Sequence, residues 1–300
     1  MSVKRLLLAA TAASLLVIGL APLAHAAKLD AGVCIERHDR LSPQGRLRDT
    51  VERPEVDELQ GWIAKHPRLA ARAAATGDTV VIRTWVHVLR EDLTIAGGNI
   101  PRRWIDDQIA VMNAAFGGDT GGADTGFAFE LAGVTRTTNE DWFHMHSQGQ
   151  DRKMKLALKR GGLRTLNIYT VDHRTLLGYA WLAQDAEKVG VLDGVVVHYQ
   201  SLPGGNFEIY SEGDTAVHEV GHWINLFHTF DGGCNRGDQV DDTAPEASPA
   251  FFCPEGRDTC GDAGLDPITN FMDYTQDNCM FEFTAGQAVR MQQAWAAYRA

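Results

Sequence analysis

Five stretches between residues 79 and 199 are rich in apolar and β-branched side chains, and one of them alternates apolar with other positions. Such patterns predict β-strands, which we expect at residues 79–90, 127–134, 163–171, 178–183 and 191–199. Apolar residues at helical spacing predict a helix that begins at Pro101 and ends before Gly117. Because no spacing repeats, the pattern predicts an α/β domain with a twisted five-stranded sheet and a backing helix.

The fourth predicted strand is short and apolar, and we interpret it as an exposed edge of the sheet. The free backbone groups of an edge strand can pair with an extended peptide. Gly178, Tyr179 and Ala180 are therefore candidate substrate-binding residues. The alternative is a strand whose backbone is paired entirely within the fold.

The last third of the chain loses regular patterning. Residues 232–277 are rich in acidic and loop-forming residues, and disulfides would stabilise a subdomain of this kind. Four cysteines allow three pairings, and they are Cys234, Cys253, Cys260 and Cys279. Thr284 and Gln287 then form a capping-box pattern, which predicts a final helix.

The amino terminus has the pattern of an export signal. Lys4 and Arg5 precede an apolar run, and Ala24 and Ala26 fit a small-residue cleavage site, which predicts a signal peptide over residues 1–26. A membrane anchor is the alternative, but the run is shorter than the roughly 18 apolar residues of a spanning helix. We therefore expect a secreted protein without a membrane partner once the signal is removed.

Residues 27–77 are rich in Arg, Glu, Asp and Ala and show no strong strand pattern, although residues 51–75 suit one or two short helices. We predict a pro-segment that an alanine-rich hinge joins to a catalytic domain at residues 78–300. An ordinary amino-terminal helical extension is the alternative. Cys34 is a candidate zymogen switch, because a thiolate can occupy an open position on zinc; a bystander thiol, or one that pairs between molecules, is the other interpretation.

Composition narrows the class of partner. The chain has 44% hydrophobic and 22% charged residues, which is typical of a globular protein, and its net charge is −11. An acidic chain is poorly suited to bind nucleic acid or an anionic membrane. We expect neither as a partner, and we expect a monomer.

The most informative chemistry lies in the motif that contains His218, Glu219, His222 and His228. On a helix the first two histidines lie one turn apart on the same face, and the glutamate is close enough to contact a water on a shared ion. His228 can reach that ion only if the helix stops, and Asn225 readily takes the left-handed conformation that ends a helix. Three imidazoles with an open fourth position describe a catalytic zinc site. The alternative is an amphipathic helix that happens to carry two histidines.

The motif HEVGHWINLFH, followed by NFMDY and FTAGQAVRM, resembles the pappalysin family of metzincin metalloproteases, and is closest to its small secreted microbial members. The resemblance covers about residues 79–300 and departs from the metzincin pattern at Asn225, where that pattern has Gly. It implies a metzincin-like α+β domain with a mixed sheet. The active-site helix would belong to an upper subdomain at about 78–228, above a loop-rich lower subdomain at about 229–300 that ends in a helix.

The resemblance also implies roles for individual residues. His218, His222 and His228 would bind zinc, Glu219 would be the general base, and Tyr274 would stabilise the oxyanion. Met272 would be the Met-turn residue, and Asp277 would lie at the floor of a pocket for Arg or Lys. The implied calcium ligands are Asp238, Asp241 and Thr243, and the implied disulfides are Cys234–Cys260 and Cys253–Cys279.

We therefore predict a secreted zinc endopeptidase that is made as a latent zymogen and cleaves proteins or peptides on the amino side of Arg or Lys. Its expected cofactors are one catalytic Zn²⁺ and a structural Ca²⁺. One alternative is a non-catalytic secreted binding protein on the same zinc-bearing scaffold, and another is a zinc hydrolase with a substrate other than peptide.

Overall fold

The computed structural model describes residues 57–75, 77, 79–261 and 264–300. Its strands form one sheet in the order β2-β1-β3-β5-β4. The strands are β1 (Val80–Arg90), β2 (Phe127–Thr138), β3 (Thr165–Val171), β4 (Gly178–Ala180) and β5 (Val195–His198). All pairings are parallel except that β4 runs antiparallel to β5. The predicted five-stranded sheet is confirmed, and β4 lies at one edge of it.

The bounds of the last two strands differ from the prediction. β4 ends at Ala180, since a 3₁₀ turn begins at Ala183. β5 begins at Val195, because residues 190–192 form another 3₁₀ turn and Gly194 has a φ of 132°. The longer strands predicted at 178–183 and 191–199 were wrong, because a short apolar run does not distinguish a buried strand from buried turns.

Helices cover much of the remaining described chain. They are α1 (Glu58–Lys65), α2 (Pro67–Ala75), α3 (Arg102–Phe116), α4 (Glu140–Phe143), α5 (Gln148–Leu158), α6 (Ala186–Val189), α7 (Asp214–Trp223), α8 (Gly233–Arg236) and α9 (Ala285–Tyr298). None of these helices is long and apolar enough to cross a membrane.

Helix α3 is the predicted backing helix. It packs against β2 and α7 and buries Trp104, Ile105, Met112 and Phe116. Each such side chain contributes about 1.5–3 kcal/mol when it leaves water. The helix therefore fixes α7 relative to the sheet.

The alanine-rich stretch that was predicted to be a hinge is part of a helix. Helix α2 spans Pro67–Ala75, buries Ala70 and packs on α9. Proline suits the first helical position, and alanine has the highest helix propensity. The hinge interpretation was wrong for residues 71–75, which belong to α2, whereas the prediction of one or two short helices within residues 51–75 is confirmed for the described residues.

The lower part of the molecule is loop-rich, as predicted, and ends in α9. The capping box at Thr284 and Gln287 is present, and the carboxylate of Asp242 accepts bonds from Thr284 Oγ1 (2.7 Å) and Gly286 N (2.8 Å). The structure joins Cys234 to Cys260 and Cys253 to Cys279, which is the pairing implied by the family resemblance.

Candidate metal centre and active site

Helix α7 carries the first two histidines of the motif. His218 and His222 are fully buried, and their Nε2 atoms lie 3.1 Å apart. The four-residue spacing therefore places both imidazoles on one face at the same point, as predicted from helical geometry.

The helix ends in a reversal that delivers the third histidine. Leu226 N donates to Gly221 O (2.9 Å), and Asn225 N donates to His222 O (2.8 Å). This is the Schellman pattern, which needs a left-handed residue after the helix, and Asn225 has a φ of 79°. The predicted stop at Asn225 is confirmed. It brings His228 Nε2 to 3.1 Å from His222 Nε2.

Backbone carbonyls orient two of the rings. His218 Nδ1 donates to Phe271 O (2.6 Å), and His222 Nδ1 donates to Leu226 O (2.8 Å). The Nδ1 atom of His228 lies 3.5 Å from the Asp231 carboxylate. Protons on Nδ1 leave the Nε2 lone pairs facing one another, an arrangement that a bound cation stabilises.

The donor set fits zinc. Three histidine nitrogens converge within one buried cluster. Nitrogens bound to one tetrahedral zinc at about 2.0–2.1 Å lie about 3.3 Å apart, close to the two observed separations of 3.1 Å. His218, His222 and His228 could therefore hold a zinc ion with little rearrangement.

The side chain of Glu219 is buried beneath the edge strand β4. A Cβ atom at position 178 would lie 2.6 Å from Oε1 and 2.7 Å from Cγ of Glu219. Only glycine at position 178 therefore allows the strand to approach the carboxylate this closely.

The side chains of the two other candidate substrate-binding residues, Tyr179 and Ala180, both contact the interior of the protein. The Tyr179 hydroxyl donates to Asp151 Oδ1 (2.9 Å), and Lys155 Nζ lies 3.2 Å from the same oxygen. Burial, together with the charge of Asp151, raises the pKa of Tyr179. Ala180 is buried. The side chains of β4 thus anchor the strand, and its backbone edge remains as the candidate surface for a peptide.

Met272 lies against the active-site helix, and Tyr274 lies next to His228. Met272 is buried, and a Cβ at Gly221 would lie 2.4 Å from its sulfur, so the thioether packs against the active-site helix. The Tyr274 hydroxyl lies 3.3 Å from His228 Nε2. A phenol at that distance can donate a hydrogen bond to an oxygen held near the imidazoles.

Asp277 is buried against the segment that leads into α7. Its Oδ2 accepts from Glu212 N (2.8 Å), and its own N–H donates to Ile209 O (3.0 Å). These two hydrogen bonds hold Asp277 against the segment that directly precedes the active-site helix.

The three candidate calcium ligands are not equally exposed. Asp238 and Thr243 are buried, whereas Asp241 is exposed. Burial raises the pKa of Asp238 to about 7.

The profile of peptidase family M43, described as pregnancy-associated plasma protein-A, matches residues 175–296. An extracellular metalloprotease of Verticillium alfalfae is 42% identical over 240 residues, which are 77% of this chain and 80% of that protein. The chain belongs to the pappalysin family. Another extracellular metalloprotease, from Podospora anserina, is 39% identical over 265 residues, which cover 86% of this pappalysin and 88% of the relative.

Solved structures agree with this assignment. A promirolysin variant from Tannerella forsythia has a TM-score of 0.69 and 27% identity, and covers 84% of this chain and 94% of its own. Mature mirolysin from the same organism, in complex with a cleaved peptide, has a TM-score of 0.62 and 31% identity. This match covers 72% of this chain and 91% of the mirolysin chain. This pappalysin is an extracellular zinc metalloprotease with a metzincin-like fold, and its substrates are proteins.

Sequence reasoning missed several residues that shape the site of this pappalysin. Gly221 was not recognised as the contact for Met272, nor Asp231 as a neighbour of His228. Glu246 was also missed: it accepts from Thr229 Oγ1 (2.6 Å) and Arg257 Nη1 (2.6 Å), and burial beside Asp273 raises its pKa to about 9. Gly221 could have been found from the sequence, because a glycine between the two helix histidines suggests that another side chain packs closely there. No sequence pattern indicates the hydrogen bond between Thr229 and Glu246.

Cys34 and the predicted signal peptide at 1–26 lie outside the described residues.

Proposed function

We propose that the chain is a zinc endopeptidase in which His218, His222 and His228 hold the metal and Glu219 is the general base. The observation that carries this proposal is the convergence of three imidazole nitrogens next to a carboxylate that lies under an edge strand. Zinc bound there supplies a Lewis acid and lowers the pKa of a bound water toward about 7.

The carboxylate of Glu219 accepts the proton of the attacking water and then delivers it to the leaving amine. The Tyr274 hydroxyl donates to the carbonyl oxygen as that oxygen gains negative charge. Its position 3.3 Å from His228 Nε2 supports this role. Met272 packs against α7 at Gly221 and thereby stabilises the helix that carries His218 and His222.

The substrate binds as an extended strand along β4. This strand lies at the sheet edge, and Gly178 brings its backbone next to the general base. A peptide paired there has its scissile bond near Glu219. The mature mirolysin structure, which contains a cleaved peptide, supports a peptide-binding site in this family.

Digestion of casein tests the catalytic proposal. The processed protein should degrade casein, and a zinc-selective chelator should abolish the activity, which added zinc should restore. A calcium-selective chelator should instead lower the melting temperature, if Asp238, Asp241 and Thr243 bind calcium through hard oxygen ligands. A chain that binds zinc but leaves casein intact would be the non-catalytic scaffold protein.

Asp277 lies at the floor of the S1′ pocket, which binds the substrate residue that follows the scissile bond, and gives this pocket its preference for Arg or Lys. A buried carboxylate favours a guanidinium, which it can bind with two charge-assisted bonds. Asp277→Ala is expected to lower cleavage before Arg about 10-fold or more relative to cleavage before Leu, since a hydrogen bond to a charged group contributes roughly 1.5–3 kcal/mol. Cleavage-site profiling on a peptide library measures the ratio.

Glu255 offers a control for this substitution, because it is an exposed carboxylate of the same loop-rich region. Glu255→Ala should leave the profile unchanged. If Asp277→Ala retains the full Arg and Lys preference, the pocket lies elsewhere.

Residues 27–77 form a pro-segment ahead of a catalytic domain at 78–300, and Cys34 keeps the enzyme latent. The promirolysin match extends over 84% of this chain, against 72% for mature mirolysin, which supports the presence of a pro-segment. Uncleaved chain with Cys34→Ala should be active, while the uncleaved parent is latent. Equal latency of the two chains would exclude the thiol switch.

A further inference from the structure

Arg290 of α9 and Arg299, which directly follows α9 as its cap, bind the carboxyl end of the active-site helix and the turn after it. Arg299 Nε donates to Trp223 O (2.9 Å), and Arg290 Nε donates to Asn225 O (2.9 Å). Both guanidinium groups are buried. Carbonyls at the end of a helix lack partners within it and carry partial negative charge, so cations are favourable there.

Arg290 contacts the turn on both sides of its central residue. It binds the carbonyl of Asn225, and its guanidinium carbon lies 4.2 Å from the ring centroid of Phe227. The carbonyl of Leu226, between them, accepts a hydrogen bond from His222 Nδ1, and Phe227 directly precedes His228. A shift of this turn would therefore disturb two of the three histidines together.

The two arginines differ in where their counterions come from. Arg299 pairs with Asp193 (Nη2–Oδ1 2.9 Å), which lies two residues before the start of β5. Arg290 pairs with Asp57 of the amino-terminal segment (Nη1–Oδ2 2.9 Å), and both of those side chains are at most 7% exposed. Asp57 is itself fixed, since it caps α1 through Leu59 N. A buried guanidinium that loses its carboxylate is strongly destabilised.

We infer that Arg290 is a positioning residue for the metal centre, which fixes the turn at residues 224–227 and is itself held by Asp57 from the amino-terminal segment. The inference rests on the proposal that His218, His222 and His228 bind zinc. It gives the amino-terminal segment a second effect on the site, exerted through Arg290 and the turn and independent of any thiol at the metal.

The rate of zinc loss to a chelator tests this inference in the full chain. Every protein carries Glu219→Ala, which removes the proposed general base, so that the chain cannot cleave off its own amino-terminal segment. Arg290→Lys and Arg290→Met should release zinc about 10-fold faster than the parent, because a shift of the turn displaces the Leu226 carbonyl that binds His222, and hydrogen-bond partners of metal ligands typically contribute 10–100-fold to affinity. Asp57→Asn, which keeps Arg290 but removes its counterion, should give an intermediate rate.

Gln292→Met is the matched control. Gln292 is buried on the same helix and donates one bond to the Thr125 carbonyl (2.7 Å), away from the turn. It should lower the melting temperature without changing zinc release. If the Arg290 variants release zinc no faster than Gln292→Met, the positioning role is wrong; if Asp57→Asn matches the parent, the role of the segment is wrong. A parent that holds no zinc would instead contradict the proposed function.

Discussion

Replacing Glu219 with alanine is expected to lower kcat/KM for a peptide by about 10³-fold while zinc remains bound, since general acid–base catalysis typically contributes 10²–10⁴-fold. Glu219 directly follows His218 on α7 but is not one of the three converging donors. Its loss therefore removes the proton acceptor and leaves the metal ligands in place. Steady-state kinetics and atomic absorption on the same sample measure the two quantities.

Glu219→Gln sharpens this experiment, because it keeps the shape of the side chain and removes its basicity. Both variants should lose activity to a similar extent, and both should retain one zinc per chain. His228→Ala is the contrasting variant, which should lose metal and activity together. If Glu219→Gln keeps more than about a tenth of the parent activity, another group is the base.

The metal centre could be predicted from sequence because its geometry is local. His218 and His222 share one helix, and the reversal that brings in His228 depends on the conformation of a single residue, Asn225. The order of elements and the number of strands followed from apolar patterning for the same reason. Each of these features is decided within a few neighbouring residues.

Contacts between distant residues could not be predicted in this way. Asp57 and Arg290 are 233 positions apart, and neither is unusual in its local sequence. Composition suggested a helix within residues 51–75, but the packing of helix Pro67–Ala75 on α9 could not be predicted from the sequence. Sequence periodicity shows that an element has a buried face, but it does not show which element covers that face.

Gly178 is a contact between distant residues that bears directly on the local motif, since this residue of the edge strand limits the space around Glu219 of the active-site helix. Gly178→Ala is expected to lower kcat about 10²-fold, because a displacement of about 1 Å in a catalytic group can cost that much. The new Cβ would lie 2.6 Å from Glu219 Oε1 and 2.7 Å from Cγ, so the carboxylate has to move. Its end is flexible, and the fold should survive the change.

A double-substitution cycle separates this cause from a direct effect on the substrate. In the Glu219→Ala background no carboxylate remains to be displaced, so Gly178→Ala should change the residual rate by less than about 3-fold. Gly162→Ala is the control, because a Cβ there meets nothing within 4 Å. A variant whose KM rises while kcat stays constant would show that position 178 limits peptide pairing along β4 and does not position the base. An unchanged kcat and KM would mean that the strand yields to the added carbon and that Glu219 keeps its place.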